Sequence, residues 1–497
     1  MTFRSKKILT LILAGLLLVA PLASCATGGG DDETQANDQT TAALEEGETE
    51  LRDNLPDNLN YNGEEINFYS FYEEGMTSGQ VAVPELNSNP VNDAVFERNK
   101  LVESRLGVKI INDDDKSGDA YHVVNKTVTL VQSGSTDYDA ITSPCWVVLD
   151  QSISGTFSNL TGSEYLDLSQ PWWTQDFNEA CSFQGNQYAA SGHLLLGIYR
   201  SAYATVFNKS LFTNVGQPYP YEYVDNGTWT LDKQASIVTD FHVDTNGDGL
   251  QDETDRYGLV TGQGIYVDPY WASCGIDIVS KNEDGEFELI FDSAKLHDTV
   301  EKVLYLFYQT EDSTYIAEDP AAIFAKGTAA MATIRIFSME GAAMRNMEDA
   351  YGVVPMPRLS TDQTAYRSTL HDGFSVVAAP ATIHGDHLEM VCAVLEAMGS
   401  ASYRIVRPAY YETTLRTKLA SDPDSSRMMD VITQNLRTDP GYFYVFTFNA
   451  FHHGFRNIIA SKQNTTISDY AKRAKADQKA VKNVNRRFAR LAERSGS

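Results

Sequence analysis

The chain has 497 residues, a formal net charge of −28 and 11% aromatic side chains. So acidic a protein repels nucleic acid and anionic lipid, and neither is expected as its ligand. The length exceeds what one simple hydrophobic core supports and favours two lobes or domains, while the aromatic content supplies many flat, amphipathic rings.

The N-terminus has the organisation of a secretory signal. Arg4, Lys6 and Lys7 precede an apolar run over residues 8–20, which is too short to span about 30 Å of hydrocarbon as a helix. The run ends in the letters LASC, which resemble the lipobox of bacterial lipoproteins, although serine replaces the usual Gly or Ala before Cys25. The resemblance implies that the thiol of Cys25 is acylated and anchors the protein to the extracellular face of the cell membrane. The alternative is an ordinary secreted protein with an incidental cysteine.

Residues 25–60 show no core-forming pattern and are rich in acidic side chains. Low hydrophobicity and like charge keep such a segment disordered and extended. We therefore predict an acidic tether that holds a folded body away from the membrane. Four cysteines follow in the body, Cys145, Cys181, Cys274 and Cys392, and their wide spacing indicates neither a disulfide framework nor a metal site. Each is expected to be a small buried side chain.

Beyond residue 60, strand and helix patterns alternate, which predicts an α/β fold. Strands are predicted at 65–69, 108–111 and 138–141, and helices at 91–106 and 123–132. The C-terminus reads as an amphipathic helix with many basic side chains: Lys472, Arg473, Lys475, Lys479, Lys482, Arg486, Arg487 and Arg490. Packing of this helix on an acidic lobe is the simpler interpretation, and contact with anionic lipid is the alternative.

Several segments carry a family resemblance. The letters NDAVFERNKLVESRLGVKI, GSTDYDAI, YLDLSQPWW, FQGNQYAASG, FAKGTAAMATIRIF and DAYGVVPMPRL occur in this order within residues 60–420. They resemble family 1 extracellular solute-binding proteins of bacterial ABC transporters, such as the maltose-binding proteins. The resemblance implies a type II periplasmic-binding-protein-like fold of two α/β lobes, joined by a hinge with crossings near 185–192 and 351–357. A monomer of this kind closes on a carbohydrate and delivers it to the permease subunits of an importer.

This resemblance and the patterns above divide the chain as follows. The segments are a signal peptide at 1–24, the tether at 25–60, a first lobe at 61–188, a second lobe at 189–350, a return to the first lobe at 351–400 and a C-terminal helical region at 401–497.

The segment 244–255 matches the calcium-loop pattern D-x-[DN]-x-[DN]-G, with acids at its ninth and twelfth positions. The expected oxygen donors are Asp244, Asn246, Asp248, the carbonyl of Leu250, Asp252 and Asp255. Gly249 permits the sharp turn, and Asp255 is one methylene shorter than the usual glutamate, as in dockerin-type loops, which the segment resembles. We predict structural calcium here; an acidic turn without metal is the alternative.

By similarity to the maltose-binding pattern, six side chains are candidates for contact with the ligand: Trp146, Tyr270, Trp271, Arg335, Phe337 and Tyr442. Aromatic rings stack on the apolar faces of sugars, and polar groups bind their hydroxyls. For each aromatic candidate a core or interface position is the alternative. Trp172, Trp173 and Trp229 are expected to be packing residues instead.

Enzyme signatures are missing from the sequence, since it contains no G-x-S-x-G, H-E-x-x-H or P-loop. The pairs His371-Asp372 and His452-His453 are the suggestive histidines, for which surface or core roles are expected. The prediction is therefore a binding protein and not an enzyme. A lipid-anchored glycan hydrolase and a polysaccharide-binding surface protein without a transport role remain the alternatives, and a peptide or polyol ligand stays open.

Overall fold

The computed structural model describes residues 52–411 and 422–495. The signal peptide, Cys25 and most of the tether that the sequence predicts lie outside these residues. Within the described ranges no helix is both long and apolar enough to cross a membrane. The architecture is mixed α/β, as predicted, with two large sheets and one two-stranded sheet among the described residues.

The elements have the following bounds. The strands are β1 Glu64–Phe71, β2 Val108–Asp115, β3 Ala140–Pro144, β4 Tyr203–Asn208, β5 Tyr257–Thr261, β6 Val279–Lys281, β7 Phe287–Leu289, β8 Thr314–Ile316, β9 Ala329–Arg335, β10 Tyr351–Val354 and β11 Ser375–Ala378. The α-helices are Pro90–Leu106, His122–Ser133, Cys145–Ser152, Gln175–Cys181, Gly197–Arg200, Lys209–Val215, Pro220–Asp225, Leu231–Val238, Asp268–Ser273, Ser293–Tyr308, Pro320–Ala325, Ala342–Asn346, Gly385–Arg404, Pro423–Gln434, Pro440–Phe443, His453–Ser461 and Thr466–Ser495. Short 3-10 helices cover Gly264–Tyr266 and Ile336–Glu340.

The first lobe is built on a four-stranded sheet in the order β11-β3-β1-β2, in which β1, β2 and β3 are parallel and β11 is antiparallel. Each strand and helix predicted for this part is present, with ends that differ by a few residues. The first helix begins where the side chain of Asn89 accepts two backbone N–H groups. It ends at Gly107, whose φ of 61° is readily adopted without a Cβ.

The second lobe is built on a five-stranded sheet in the order β10-β4-β9-β5-β8. Strand β4 is antiparallel to both its neighbours, and β5 is parallel to both of its own. Because β10 belongs to this sheet, residues 351–354 are part of the second lobe. The predicted return to the first lobe at residue 351 is therefore too early.

The hinge lies where two chain segments cross between the lobes side by side. The N–H of His371 donates to the carbonyl of Ser201 at 2.9 Å, and Ala202 forms an antiparallel bridge with Leu370. The crossings are thus near 201–203 and 369–371, and the predicted positions near 185–192 and 351–357 are wrong. Ala190 shows why, since it pairs with Val377 of β11 and so belongs to the first lobe.

The tether ends earlier than residue 60. Asp53 and Leu55 are buried, and Arg105 forms an ion pair with the carboxylate of Asp53. The N–H of Asp53 also donates to the hydroxyl of Ser400 at 3.1 Å. Residues 52–60 are therefore packed on the first lobe, because a charged pair and an apolar side chain fix a segment that composition alone presents as unstructured.

The C-terminal region packs against both lobes. The helix Thr466–Ser495 contacts the helix Ser293–Tyr308 and β7 in the second lobe. Towards the first lobe, the hydroxyl of Tyr444 donates to the carbonyl of Cys181 at 2.9 Å. All four cysteines of the body are buried and unpaired, and the three tryptophans expected to be packing residues, Trp172, Trp173 and Trp229, are buried as well.

Candidate functional site

The hinge, the second lobe and the C-terminal region meet at a group of polar side chains. We call this group the polar cluster; it comprises Asp268, Arg335, His371, Asp372, Tyr442, His452 and Arg456. Asp268 starts a helix, Arg335 ends β9, and Asp372 follows the second hinge crossing. The cluster thus depends on segments that are far apart in sequence, which only the tertiary fold brings together.

Asp268 is the satisfied carboxylate of the polar cluster. It is fully buried and accepts a hydrogen bond from Nε of Arg456 at 2.8 Å and another from its Nη2. The hydroxyl of Tyr442 donates to the same carboxylate at 3.0 Å. Burial raises the pKa of Asp268, and the bonds from Arg456 oppose that shift. This bidentate ion pair with Arg456 holds the carboxylate of Asp268 in place.

Asp372 is held more loosely. Nitrogens of His371, His452 and Arg456 lie 3.5, 3.9 and 4.0 Å from its carboxylate oxygens, beyond the usual length of a hydrogen bond. Burial, with repulsion from Asp268, raises the pKa of Asp372 to about 7. A carboxylate placed in this way gains most from a group that donates hydrogen bonds to it, as a sugar hydroxyl does.

Further buried polar atoms of the cluster have no hydrogen-bond partner among the described residues. These are both ring nitrogens of His452 and Nε of Arg335. Burial lowers the pKa of His371 to about 3 and the pKa of His452 well below its ordinary value. Both rings are therefore neutral; Nδ1 of His371 already accepts the N–H of Gly373 at 3.1 Å, whereas His452 has one donor and one acceptor to offer. Since buried polar groups are normally paired, these atoms indicate a place for a polar ligand or ordered water.

An aromatic cluster borders the polar cluster on the outside; it comprises Tyr121, Trp146, Phe446 and His453. The ring of Trp146 lies 4.9 Å from that of Tyr121 and 5.8 Å from that of Phe446, in edge-to-face contacts. Tyr121 is 44% exposed and Phe446 is 56% exposed. Large rings with this much exposure leave apolar surface in contact with solvent.

The two clusters are continuous. Phe446 contacts His453, whose ring lies 4.6 Å from that of His452, and His452 lies equally close to Tyr442. On the first lobe, the N–H of Trp146 donates to the backbone carbonyl of Asp372 at 3.3 Å. A ligand that stacks on the exposed rings is thereby directed towards buried hydrogen-bonding groups. This combination suits a molecule with apolar faces and polar edges.

The structure brings together half of the side chains predicted to contact the ligand. Trp146 belongs to the aromatic cluster, and Arg335 and Tyr442 belong to the polar cluster. Phe337 lies on the interface between the lobes, where a Cβ on Gly75 would come within 3.2 Å of its ring.

Tyr270 does not lie in a cleft, and its prediction as a ligand contact is corrected, whereas Trp271 lines a narrow pocket beside Asp268 and Tyr442 and stays a candidate. Tyr270 is fully buried, with its hydroxyl 2.8 Å from that of Thr333, and Trp271 packs against Phe291 and Phe455. Tyr270 thus belongs to the hydrophobic core of the second lobe, while the buried Nε1 of Trp271 has no hydrogen-bond partner among the described residues.

Sequence reasoning missed most of the polar cluster. The sequence predicts only surface or core roles for the pairs His371-Asp372 and His452-His453, because nothing in it indicates that these two segments converge. Asp268 and Arg456 gave no signal. One sequence signal that could have located the cluster is the concentration of His, Asp and Arg among aromatic residues in the stretch 439–456.

The segment 244–255 forms an exposed, self-bonded loop between the helix Leu231–Val238 and β5. The carboxylate of Asp244 accepts the N–H groups of Gly247 and Gly249 at 2.7 and 2.9 Å. The amide of Asn246 points at the carboxylates of Asp248 and Asp252, at 3.0 and 3.4 Å. A flip of that amide would present its oxygen in the same place, so that three oxygen donors converge.

The last residue of the loop, Asp255, is buried and accepts the N–H groups of Thr245 and Asp252. The loop aspartates do not form a close trio. Among the described residues the trio of histidine or acid side chains with ligand atoms within 4.8 Å of one another is His297, Asp298 and Glu301. The donor set thus fits calcium in kind, and the turn is already formed, but the carboxylates have to move together to hold an ion.

No protein-family model and no curated protein sequence matches the chain. Solved structures do. An ABC substrate-binding protein from Listeria monocytogenes, in complex with cycloalternan, is 15% identical with a TM-score of 0.51, and the match covers 87% of this chain and 99% of that one. A cyclo/maltodextrin-binding protein complexed with maltotetraose is 11% identical with a TM-score of 0.53, over 87% and 97% of the two chains.

A third match is a protein from Mycobacterium tuberculosis in complex with glycerophosphocholine, at 16% identity and a TM-score of 0.50, over 87% of this chain and 99% of that one. These matches span nearly the whole of each neighbour and confirm the predicted fold. The chain has the two-lobe architecture of type II substrate-binding proteins. The first two of these neighbours are named as binding proteins.

Proposed function

We propose that the protein captures a small carbohydrate between its lobes and delivers it, as a monomer, to the permease subunits of an ABC importer. The observation that carries the proposal is the continuity of exposed rings with buried, incompletely bonded polar groups at the hinge of a two-lobe fold. Neighbours with this fold were solved with cycloalternan and with maltotetraose, both of which are carbohydrates.

The chemistry of the two clusters supports a sugar in particular. The aromatic cluster supplies stacking faces for the C–H surfaces of a pyranose ring. The polar cluster supplies a carboxylate, two neutral imidazoles and an arginine, which match hydroxyl groups that both donate and accept hydrogen bonds. A ligand bound to Asp372 at the hinge and to Arg335 in the second lobe contacts groups that move relative to each other, so binding is coupled to closure.

A thermal-shift screen against a panel of mono- and oligosaccharides tests the proposal. A ligand present at about 100 times its dissociation constant adds roughly 2.7 kcal/mol of stability, which is a readily measured shift. Small-angle scattering with the best ligand should show a more compact particle. Peptides and polyols belong in the same screen, because stabilisation by one of them and by no sugar would reject the substrate class.

The same ligand separates this proposal from its alternatives. A binding protein releases a labelled oligosaccharide intact, whereas a glycan hydrolase shortens it during prolonged incubation. A surface protein that binds polysaccharide without transport is retained on the polymer and shows no preference for short chains. Uptake of the labelled sugar by cells, lost on deletion of this protein, would favour transport over both.

We propose in addition that Cys25 is lipidated and holds the protein at the extracellular face of the membrane. The support is the basic start, the short apolar run and the LASC sequence. The wild-type protein should partition into detergent and remain with membranes after a salt wash, and Cys25→Ala should be released. Retention of the variant would contradict the anchor.

We propose, finally, that the loop 244–255 binds calcium and stabilises the second lobe. Its pattern of donors and its preformed turn support this, and a cation would relieve the repulsion among its acids. Calcium should raise the melting temperature relative to chelator, and Asp248→Ala should remove the difference. Asp284→Ala, which removes an exposed acid from another turn of the same lobe, is the control and should keep it. Equal melting with calcium and with chelator would leave only an acidic turn.

A further inference from the structure

A groove of about 710 Å³ runs between the first lobe and the C-terminal helix Thr466–Ser495. One wall is the helix Cys145–Ser152, with Asp150 and Ile153 at its end, and Phe446 lies at the rim. The facing helix turns the small side chains of Ala476 and Ala480 towards the opening. Because these positions carry no bulk, the helices leave a channel where larger residues would have closed the contact.

The far wall of the groove is basic. Lys479, Asn483 and Arg487 follow one another at intervals of four residues and so lie on one face of the helix, next to Arg486. Among the described residues the ion pairs of this helix are Lys472 with Asp469 and Arg473 with Asp477, so neither Lys479 nor Arg487 has an acidic partner there. The guanidinium of Arg486 donates to the side-chain oxygen of Asn483 at 2.9 Å, which leaves its charge uncompensated too.

The one acid that lines the groove is already engaged. Asp150 accepts the N–H groups of Phe446 and Thr447 at 2.9 and 2.8 Å, which ties the rim loop to the first lobe. Because three cations, Lys479, Arg486 and Arg487, line the groove with this one acid, positive charge is in excess there, in a protein whose net charge is −28. Such a local reversal of sign concentrates anions at one place and repels them from the remainder of the surface.

The groove continues the candidate site. Phe446 belongs both to the rim of the groove and to the aromatic cluster, where it contacts Trp146. From Lys479 to Arg487 the helix rises by about 12 Å, so the two cations are spaced to meet anionic groups on the first and third units of a chain. Arginine binds carboxylate or sulfate through two parallel hydrogen bonds, and lysine acts as a point charge.

From this juxtaposition we infer that the ligand is an acidic oligosaccharide, whose rings stack on the aromatic cluster while its carboxylate or sulfate groups bind Lys479 and Arg487. The inference rests on the proposed function and names the class of sugar. A membrane surface fits less well, because the cations line a concave groove beside aromatic rings, and the acidic body repels anionic lipid.

Calorimetry with uronate trisaccharides, such as tri-galacturonate and tri-mannuronate, and with their methyl esters tests the inference. The acids should bind about tenfold more tightly than the esters at low salt, with the difference shrinking as salt is added. The double variant Lys479→Gln/Arg487→Gln should lose this preference and retain its affinity for the esters. The matched control is Lys475→Gln/Lys482→Gln, which removes the same charge from exposed positions of the same helix outside the groove and should behave as wild type.

The remaining outcomes distinguish a failure of this inference from a failure of the proposed function. Binding of neutral sugars without any preference for the acids overturns the inference and leaves the proposed function standing. Tight binding of the acids by the double variant overturns the assignment to this groove. Failure of acidic and neutral sugars alike rejects the proposed function together with the inference. Sedimentation with phosphatidylglycerol vesicles that is lost in the double variant, without a preference for acidic sugars, would identify a lipid-binding surface instead.

Discussion

The polar cluster and the aromatic cluster are neighbours, yet they differ in how deeply their side chains are buried and in what those side chains contact. In the polar cluster, Asp268 is buried and Arg456 is half-buried, and the two form an ion pair, so removal of either leaves an uncompensated charge. In the aromatic cluster, Phe446 and Tyr121 are roughly half exposed and touch mainly other rings. The polar cluster is coupled to the stability of the fold, and the aromatic cluster is largely free of that coupling.

Within the polar cluster the two carboxylates differ in the same way. Asp268 accepts hydrogen bonds from three side-chain donor groups. The side-chain nitrogens nearest to Asp372 lie farther away than the usual length of a hydrogen bond. The carboxylate of Asp268 is bonded within the folded protein, whereas the carboxylate of Asp372 has bonding capacity left for a ligand. Incompletely bonded groups at a hinge lower the stability of the ligand-free protein, and they gain hydrogen bonds when a ligand binds.

The largest expected effect comes from the arginine of the satisfied pair. Arg456→Met should lower the free energy of unfolding by about 3–5 kcal/mol, because it strands Asp268 as a buried charge. Urea denaturation at pH 7 measures the loss. Asp268→Asn in the same chain should restore part of it, since no charge then remains to be compensated.

A matched surface arginine provides the control. Arg427 pairs with Asp225 and Asp424 and is 44% exposed, so Arg427→Met should cost less than about 1 kcal/mol. Similar losses for Arg456→Met and Arg427→Met would mean that the pair at the polar cluster is solvated, and the contrast between the clusters would collapse.

The second effect concerns Asp372 and depends on pH. Its pKa is about 7 in the folded protein and about 3.9 in an unfolded chain, so protonation favours the folded state. This contribution is complete below about pH 4 and is lost as the pH rises to 7. Relative to Asp372→Asn, wild type should therefore lose on the order of 1.4 kcal/mol per pH unit across that interval.

Denaturant titrations of both proteins at closely spaced pH values give this difference directly. Other buried acids, such as Asp439 and Glu396, titrate in both proteins and cancel in the comparison. A difference that does not change between pH 4 and 7 would show that Asp372 has an ordinary pKa, and that it is better bonded or better solvated than its surroundings indicate.

The sequence predicts the strands and helices of the first lobe because their signals are local. The N-cap of Asn89 and the glycine at 107 act over a few residues, and apolar alternation in β1 and β3 reports burial directly. The hinge was misplaced because its pairing, Ser201 with His371, joins residues 170 positions apart. No local pattern encodes that distance.

The site shows the same limit. Trp146 is predicted from its place after a strand, and Tyr442 from its place late in the chain. The position of an aromatic residue in the sequence does not show whether its side chain faces the cleft or the core. Tyr270 is predicted to contact the ligand and lies instead in the core, with its hydroxyl 2.8 Å from that of Thr333. Arg456 was not predicted at all, because its role follows entirely from Asp268 at the start of a distant helix.

The smallest effect should come from the aromatic cluster, and it is expected in binding and not in folding. Phe446→Ala and Trp146→Ala should each weaken the best sugar of the panel by about 1–3 kcal/mol, roughly tenfold to a hundredfold, because each removes a stacking face. Phe446→Ala should leave the melting temperature nearly unchanged, since more than half of that side chain is exposed. Calorimetry on folded variants makes the measurement, with Tyr305→Ala as the control, because Tyr305 is 49% exposed and belongs to neither cluster. If both aromatic variants bind as wild type while Asp372→Asn does not bind, the ligand touches only the polar cluster, and the exposed rings serve another purpose.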